Sequence, residues 1–385
     1  MIIEVRKAGF TNKGAELMLH AILAQVRERY PDSTVVMSPT TKKGSQPFHK
    51  FVKLGMLPKA SLRVKGFQFG FLAGFLPQRL REMYGIVLDK EVDVILDASG
   101  FDYSDQWGPG SSIEMAQSTK SWRRNGKVVV MLPQAFGPFA NNGIKTPVRN
   151  FVENSDIVYA REKDSFDHLV SVCGKRNNIK IMPDFTNLVT VSPPAGYDFD
   201  DKRIAVIPNC RMLDKTDSDA ASLYVPFLKA CIEILIKNGK NPFILVHEGE
   251  DDLALANQVA EGIEDLKIVK ETDALAIKGI IGSCGGVVGS RFHGLVSALS
   301  QGVPSVATGW SHKYQRLFED YGVSESVIDV SIDTSYIESK LICMTDSQAA
   351  LVCRQNLIDK SKFLKKQSED MWKEVFDLID SKVFE

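Results

Sequence analysis

Short runs rich in Val and Ile alternate with stretches of helical periodicity along most of this chain. In the first half, Ile2–Lys7, Ser33–Ser38, Val92–Ala98, Lys127–Leu132, Asp156–Ala160 and Ile179–Met182 read as buried strands. A helix pattern such as Leu19, Ile22, Leu23 and Val26, spaced by three, four and seven, lies between them. Strands separated by helices demand a parallel sheet with right-handed crossovers, so the fold class is α/β. The rhythm weakens over Ser192–Asp201, which reads as a linker. It then resumes with Arg203–Ile207, Pro242–His247, Leu266–Val269, Gly286–Gly289, Pro304–Ala307 and Ser326–Asp329. The helix after the first of these carries Leu228, Cys231, Ile232, Leu235 and Ile236 on one face and stops at Asn238-Gly239.

Two doubly wound, Rossmann-like domains follow from this pattern. One spans residues 1–194 and the other 195–360. The chain's 385 residues suffice for two cores. A ligand cleft between the domains, outside the carboxyl ends of the strands, is the expectation for such sheets. Residues 361–385 form a helix whose stripe of Met371, Trp372, Val375, Phe376 and Ile379 predicts packing back on the first domain. Thr40–Lys90 is longer than one crossover needs and reads as an insertion. It contains the Phe-rich run Gly66–Leu76, with Lys59, Arg63, Lys65, Arg79 and Arg81 around it. One reading packs this run over the first domain. The other makes it an interfacial segment touching a membrane or a lipid-linked substrate.

Composition removes several classes. With 47 Lys+Arg against 48 Asp+Glu, the chain lacks the excess positive charge of a nucleic-acid binder. Six scattered cysteines without a CxxC pair indicate neither a disulfide scaffold nor a zinc ribbon, and the metal-ligand spacings sought are missing. No run reaches the length of a membrane span, and the first residues do not resemble a secretion signal. The expectation is a cytoplasmic protein, at the inner face of a membrane if the Phe-rich run is interfacial.

The segment Ser283–Gly302 carries the strongest chemical signal. A small-residue strand leads to Ser290, and Arg291-Phe292-His293-Gly294 opens an apolar helix. Free N–H groups and the helix dipole favour an anion there, and Arg291 adds a planar fork for carboxylate or phosphate. His293 is a residue type that exchanges protons near neutral pH. Lys313, in Gly309–Tyr314, follows another strand. Arg161 follows the strand Asp156–Ala160. In the first domain, Gly9–Glu16 turns from strand to helix and presents Asn12 and Glu16. Ala98–Gly108 offers Asp102, Asp105, Gln106 and Trp107, residue types suited to sugar hydroxyls and a sugar face.

Together these segments resemble the polysaccharide pyruvyl transferase family. The resemblance rests on Asn12-Lys13-Gly14-Ala15-Glu16, Leu132–Pro138, Ala160-Arg161-Glu162, Met182-Pro183-Asp184, and Ser290–Gly294 followed by Gly302-Val303-Pro304. It implies a glycosyltransferase-B-like shape and transfer of a pyruvyl group from phosphoenolpyruvate to two hydroxyls of a saccharide, forming a cyclic ketal. Carried over residue by residue, it makes Arg291, Arg161, Phe292, His293 and Lys313 the phosphoenolpyruvate site, with His293 and Arg291 catalytic. Asn12, Glu16, Asp102, Asp105, Gln106 and Trp107 become acceptor contacts. No metal or cofactor beyond phosphoenolpyruvate as co-substrate is implied. Where the family usually has Gly-Asp-Glu, this chain has Gly14-Ala15-Glu16. Where the family has a glycine-rich run, it has Ala98-Ser99-Gly100-Phe101, which points to a different acceptor.

Two alternatives remain at the level of sequence. A glycosyltransferase of the same architecture would set Arg291 and Lys313 on the diphosphate of a nucleotide-sugar, with His247 or Glu248 near the nucleoside. A non-catalytic carbohydrate-binding protein would need no cluster of Arg161, Arg291, His293 and Lys313.

Overall fold

In the computed structural model, which describes residues 1–40, 46–61, 63–64 and 67–384, the strand-like runs form two separate parallel sheets. The chain divides into two compact units, Met1–Phe185 with Gln367–Glu385, and Thr186–Lys366. The sequence pattern places that division near residue 195.

The first unit contains β1 (Ile2–Arg6), β2 (Thr34–Met37), β3 (Leu57–Pro58), β4 (Arg63–Val64), β5 (Phe67–Gln68), β6 (Val94–Asp97), β7 (Val128–Gln134), β8 (Ile157–Ala160) and β9 (Ile179–Ile181). Its main sheet has the order β3-β2-β1-β6-β7-β8-β9, while β4 and β5 form a separate antiparallel pair. All seven residues of β7 are buried, as a parallel strand covered by helices on both faces requires. The core of this unit gathers Ile95, Val129, Met131, Phe136, Phe151 and Leu169 around Tyr103.

The second unit contains β10 (Asp200–Ile207), β11 (Asn241–Val246), β12 (Ile268–Lys270), β13 (Cys284–Gly289) and β14 (Ser305–Ala307), in the order β12-β11-β10-β13-β14. A side chain at Gly285 would place its Cβ 2.0 Å from the Asp201 carbonyl oxygen, so only glycine lets β13 lie this close to its neighbour. The helix Ser218–Lys237 buries Tyr224, Phe227, Leu228, Cys231, Ile232 and Leu235 against the sheet. Each fully buried large side chain of this kind contributes about 1.5–3 kcal/mol. Ile236, expected on that face, has rotated to the surface, 47 % exposed. The buried stripe runs backward through Phe227 and Tyr224 instead.

Three other expectations change. Ser326–Asp329 is not a strand: a short 3-10 turn, Ser324–Ser326, is followed by a single bridge between Ala307 and Val327. Its apolar content is only Val327 and Ile328 between polar neighbours, too short to extend the pairing. The last helix runs from Ser347 to Val383, starting well before residue 361. Met371, Trp372, Val375 and Ile379 are buried, and Tyr30 donates to Asp380 at 2.8 Å while Tyr159 donates to Glu374 at 2.9 Å. Finally, the Phe-rich run turns Phe71 and Phe75 outward. It forms a 3-10 turn, Gly70–Phe75, with Phe71 64 % and Phe75 82 % exposed. Within that run and the insertion around it, residues 41–45, Leu62, Lys65 and Gly66 lie outside the described residues. Among the described residues, no helix is long and apolar enough to cross a membrane. All six cysteines are free thiols.

Candidate active site

In the second unit the strand order reverses at β10. The chain winds outward through β11 and β12, then returns to add β13 and β14 on the other side. Loops leaving the carboxyl ends of β10 and β13 therefore diverge and open a crevice. The turn after β13 is fixed there by buried hydrogen bonds. The Ser290 carbonyl accepts from Asn209 Nδ2 at 2.6 Å and from the Tyr314 hydroxyl at 2.9 Å. The Tyr224 hydroxyl donates to Ser290 Oγ at 2.8 Å and accepts from the Asn209 backbone N–H at 3.1 Å. Burial pushes both phenols above their ordinary pKa, so they stay protonated donors.

Arg291 stands at the N-cap of the helix Phe292–Leu299. Its fork is engaged from within the protein. Nε donates to Asp252 Oδ2 at 2.8 Å and Nη2 to the other oxygen of the same carboxylate, while Nη1 meets Glu248. Nη2 also lies 3.7 Å from Cys210 Sγ. Asp252 is fully buried and accepts in addition from the Cys210 N–H at 3.1 Å. Burial alone would lower the Arg291 pKa, but Glu248 and Asp252 outweigh it and raise it, so the guanidinium is permanently cationic. An incoming anion would meet this cation with Glu248 as its competitor.

Phe292 gathers the remaining residues of the expected donor site in this unit. Its ring lies edge-on to His293 at 5.3 Å and to Tyr314 at 6.0 Å. Lys313 places Nζ 4.4 Å from the Trp310 ring centre, 5.4 Å from Tyr314 and 5.5 Å from Phe292, within cation–π range of all three. Gly294 admits close packing behind the turn: a Cβ there would sit 3.3 Å from both His247 and Ile207. Arg291, Phe292, His293 and Lys313 thus share one rim, and Glu248, weighed above as a nucleoside contact, is instead an Arg291 partner.

The first unit has its own reversal, between β1 and β6. Lys7 follows β1 in a left-handed conformation, φ 59°, uncommon for a residue with a side chain. Its Nζ reaches Asp102 at 2.8 Å and sits 4.9 Å from the Tyr103 ring centre. Asp105 accepts from the backbone N–H groups of Ala140 and Asn141, holding the turn after β7. Gln106 and Trp107 are exposed beside it. Asn12 caps the first helix by accepting from the Ala15 N–H at 3.0 Å, and Glu16 is buried and paired with Lys13 at 2.6 Å. Asn12, Glu16, Asp102 and Asp105, all expected as acceptor contacts, are thus each engaged by the protein itself.

Arg161 is buried and donates to Asp184 at 3.0 Å. That pair ties the Ala-Arg-Glu segment after β8 to the Met-Pro-Asp segment after β9. Glu162 accepts from the Ser165 N–H at 2.9 Å, and Ser165 Oγ accepts from the Phe136 N–H at 2.7 Å. The short motifs at residues 132–138, 160–162 and 182–184 are therefore one assembly at the ends of three adjacent strands. Sequence reasoning missed Lys7, Asn209, Tyr224, Tyr314 and Asp252. Position was the available signal for the first two, since Lys7 comes one residue and Asn209 two residues after the strands at the two reversals. Among the described residues, no group of three or more His, Cys, Asp or Glu side chains forms a metal-holding cluster.

Comparison with known proteins gives the family and the fold. The family described as polysaccharide pyruvyl transferase matches residues 12–312. No curated protein matches the chain in sequence. Among solved structures, the Anabaena protein Alr3699/HepE in complex with UDP is similar, with TM-score 0.60 and 12 % identity, covering 99 % of this chain and 99 % of that one. A putative UDP-N-acetylglucosamine 2-epimerase from Listeria monocytogenes gives TM-score 0.60 at 12 % identity, with coverage of 99 % and 95 %. The UDP-GlcNAc 2-epimerase from Neisseria meningitidis gives 0.60 at 8 %, with 98 % and 99 %. At such identities these likenesses establish the fold, a two-domain α/β architecture of glycosyltransferase-B type.

Proposed function

The chain belongs to the polysaccharide pyruvyl transferase family, a transferase family acting on polysaccharide, and from that premise we propose that it moves the pyruvyl group of phosphoenolpyruvate onto two hydroxyls of a saccharide. The observation that carries the reading is the rim of the second unit, where Arg291 is held by Asp252 beside Phe292, His293 and Lys313. A donor with a carboxylate and a phosphate needs converging cations. Arg291 and Lys313 supply two, and the N-terminus of the helix Phe292–Leu299 adds its N–H groups.

The chemistry assigned to these residues balances as follows. A sugar hydroxyl adds to C2 of the enol phosphate while His293 gives a proton to the methylene carbon, which becomes the methyl group; the proton that this hydroxyl loses restores the imidazolium, and the one lost by the second hydroxyl goes to the departing phosphate. The C2–O bond to phosphate breaks, phosphate leaves, and the oxocarbenium-like carbon takes the second hydroxyl, which loses its proton. The products are the cyclic ketal and inorganic phosphate, with no net oxidation. Arg291 holds the departing anion and orients it. Phosphoenolpyruvate as donor goes with a cytoplasmic location and requires no cofactor. Arg161 belongs to this reading as a donor ligand alongside its partner Asp184. On the acceptor side, Trp107 with Gln106 offers an exposed aromatic face and an amide suited to a sugar.

Thermal melting with phosphoenolpyruvate, a UDP-sugar or a bare glycan tests the donor: a rise with phosphoenolpyruvate alone is expected, and a rise with the UDP-sugar alone would overturn it. His293→Gln should retain that rise while ketal formation falls by about 10²–10⁴-fold, the usual weight of a positioned acid. Ketal formation at the wild-type rate in this variant would remove His293 from the mechanism.

A further inference from the structure

The first unit exposes large apolar side chains in one stretch. Among the described residues, eleven of the twenty-three exposed large hydrophobic side chains fall between Phe48 and Tyr84. The orientation is the reverse of a packed turn. In the 3-10 turn Gly70–Phe75, the residue turned inward is Gly70, where a Cβ would stand 2.3 Å from the Ala60 carbonyl oxygen. The outward residues are Phe71, Leu72 and Phe75. The helix Gln78–Met83 that follows has no buried residue and leaves Leu80 and Met83 exposed. A segment selected only to cover the sheet would put its phenylalanines in and its glycines out.

Charge says what the face meets. Between Pro47 and Gly85 the sequence has seven Lys and Arg and one acidic residue, Glu82, in a chain whose net charge is -1. Lys59 and Arg81 are turned inward, onto Glu4 with Asp89 and onto Glu91. Lys53 and Arg79 are exposed, on the two helices that flank β3, and Glu82 accepts from Gln78 at 2.8 Å. Aromatic and aliphatic side chains at a rim of exposed cations match an anionic bilayer surface, where the rings enter the headgroup boundary and the cations meet phosphates. A second copy of the same face would bring like charges together. We propose that Phe69–Tyr84, with the neighbouring helix Phe48–Lys53, is a docking surface for an anionic lipid bilayer.

This docking needs neither donor nor acceptor, so it stands or falls separately from the reaction. Purified full-length protein should sediment with vesicles of mixed phosphatidylglycerol and phosphatidylcholine, weakly with phosphatidylcholine alone, and less at high salt. Phe71→Ser with Phe75→Ser should lower vesicle affinity by roughly tenfold or more. Lys53→Glu with Arg79→Glu should abolish the preference for the anionic vesicles. Wild-type protein that stays in the supernatant with both vesicles overturns the proposal. So does a concentration-dependent dimer that the Phe variant dissolves in the absence of vesicle binding. If the Phe variant does not fold, the charge-reversed variant decides: retained preference for phosphatidylglycerol overturns the proposal.

Discussion

The two sheets share a parallel, doubly wound design with one reversal each, yet they keep their charges in different places. In the first unit, β1 carries Glu4 and Arg6 within the strand. Glu4 is buried and takes Lys59 at 2.6 Å, while Arg6 lies on Glu114 at 2.7 Å and over the Trp122 ring at 4.8 Å. On β6, Asp97 is buried and accepts from Tyr103 at 3.1 Å. Burial raises its pKa, with Lys7 and Arg6 opposing. In the second unit, Ile204–Ile207 of β10 and all of β13 are buried and uncharged. Its ion group, Arg291 with Glu248 and Asp252, begins just past the strand ends. Charges inside a sheet hold strands and helices to one another, whereas charges at its rim stand where a ligand arrives. In the reading proposed above, the charges within the first sheet serve cohesion and those past the strand ends of the second serve recognition.

The largest expected effect breaks the cohesive side. Lys59→Ala leaves Glu4 buried without its 2.6 Å partner and should cost about 3–5 kcal/mol of stability, read by urea unfolding. Glu4→Gln with Lys59→Met should recover most of it, since removing both charges removes the orphan. Donor affinity should be unchanged in both variants, and a parallel loss of phosphoenolpyruvate binding would blur the contrast between the units. On the recognition side, Arg291→Lys keeps the charge but loses the fork that grips Asp252. Donor affinity should drop by about 1.5–3 kcal/mol in calorimetry, the range for a hydrogen bond to a charged group. Arg291→Ala would also orphan the buried Asp252, which makes Lys the cleaner probe.

This contrast was legible in the sequence only in part. Strands β1, β2 and β6–β14 were readable because β-branched runs between turn residues have few other fates. The run Ser326–Asp329 shared that local look but had too little apolar length to pair. The Arg291–His293 turn stood out through its flanking glycines and its place between strand and helix. Its anchor did not. Glu248-Gly249-Glu250-Asp251-Asp252 reads as an acidic first helical turn, a feature the helix dipole explains alone. That Asp252 turns inward to Arg291 is a contact across the sheet, which no local pattern encodes. Lys7 shows itself only by its place after β1, since its left-handed conformation has no sequence signature.

Glu248 sharpens the recognition side further. Its carboxylate occupies Nη1 of Arg291, where a donor anion would otherwise gain a partner. Glu248→Gln keeps an acceptor for the guanidinium but removes the negative charge. With two charges a few ångströms apart near a protein surface, donor affinity should rise by about 1–2 kcal/mol. Calorimetric titration with phosphoenolpyruvate reads this directly. Weakened binding instead would make Glu248 a positioning residue for Arg291 that the donor never displaces.

The smallest effect returns to the first unit and to pH. Asp89 accepts from Lys59 at 2.8 Å and stands 3.7 Å from Lys127. Burial pushes its carboxyl up, but the ammonium groups of Lys59 and Lys127 and the Trp122 indole outweigh this and hold it below its ordinary value. A carboxylate depressed in the folded state stabilises fully above its unfolded pKa of about 3.9, and that stabilisation is lost as pH falls from there through the folded value. Asp89 is also half exposed, 49 % by side chain, so solvent screens the pair and the contribution is below about 1 kcal/mol. Asp89→Asn should therefore be slightly less stable than wild type at neutral pH, and the difference should close as the pH drops below about 4. Urea unfolding of both proteins across that range measures it. A difference that stays constant into acid would mean that Asp89 acts through its hydrogen bonds alone, and that the charge network around Glu4 and Lys59 ends at the buried pair.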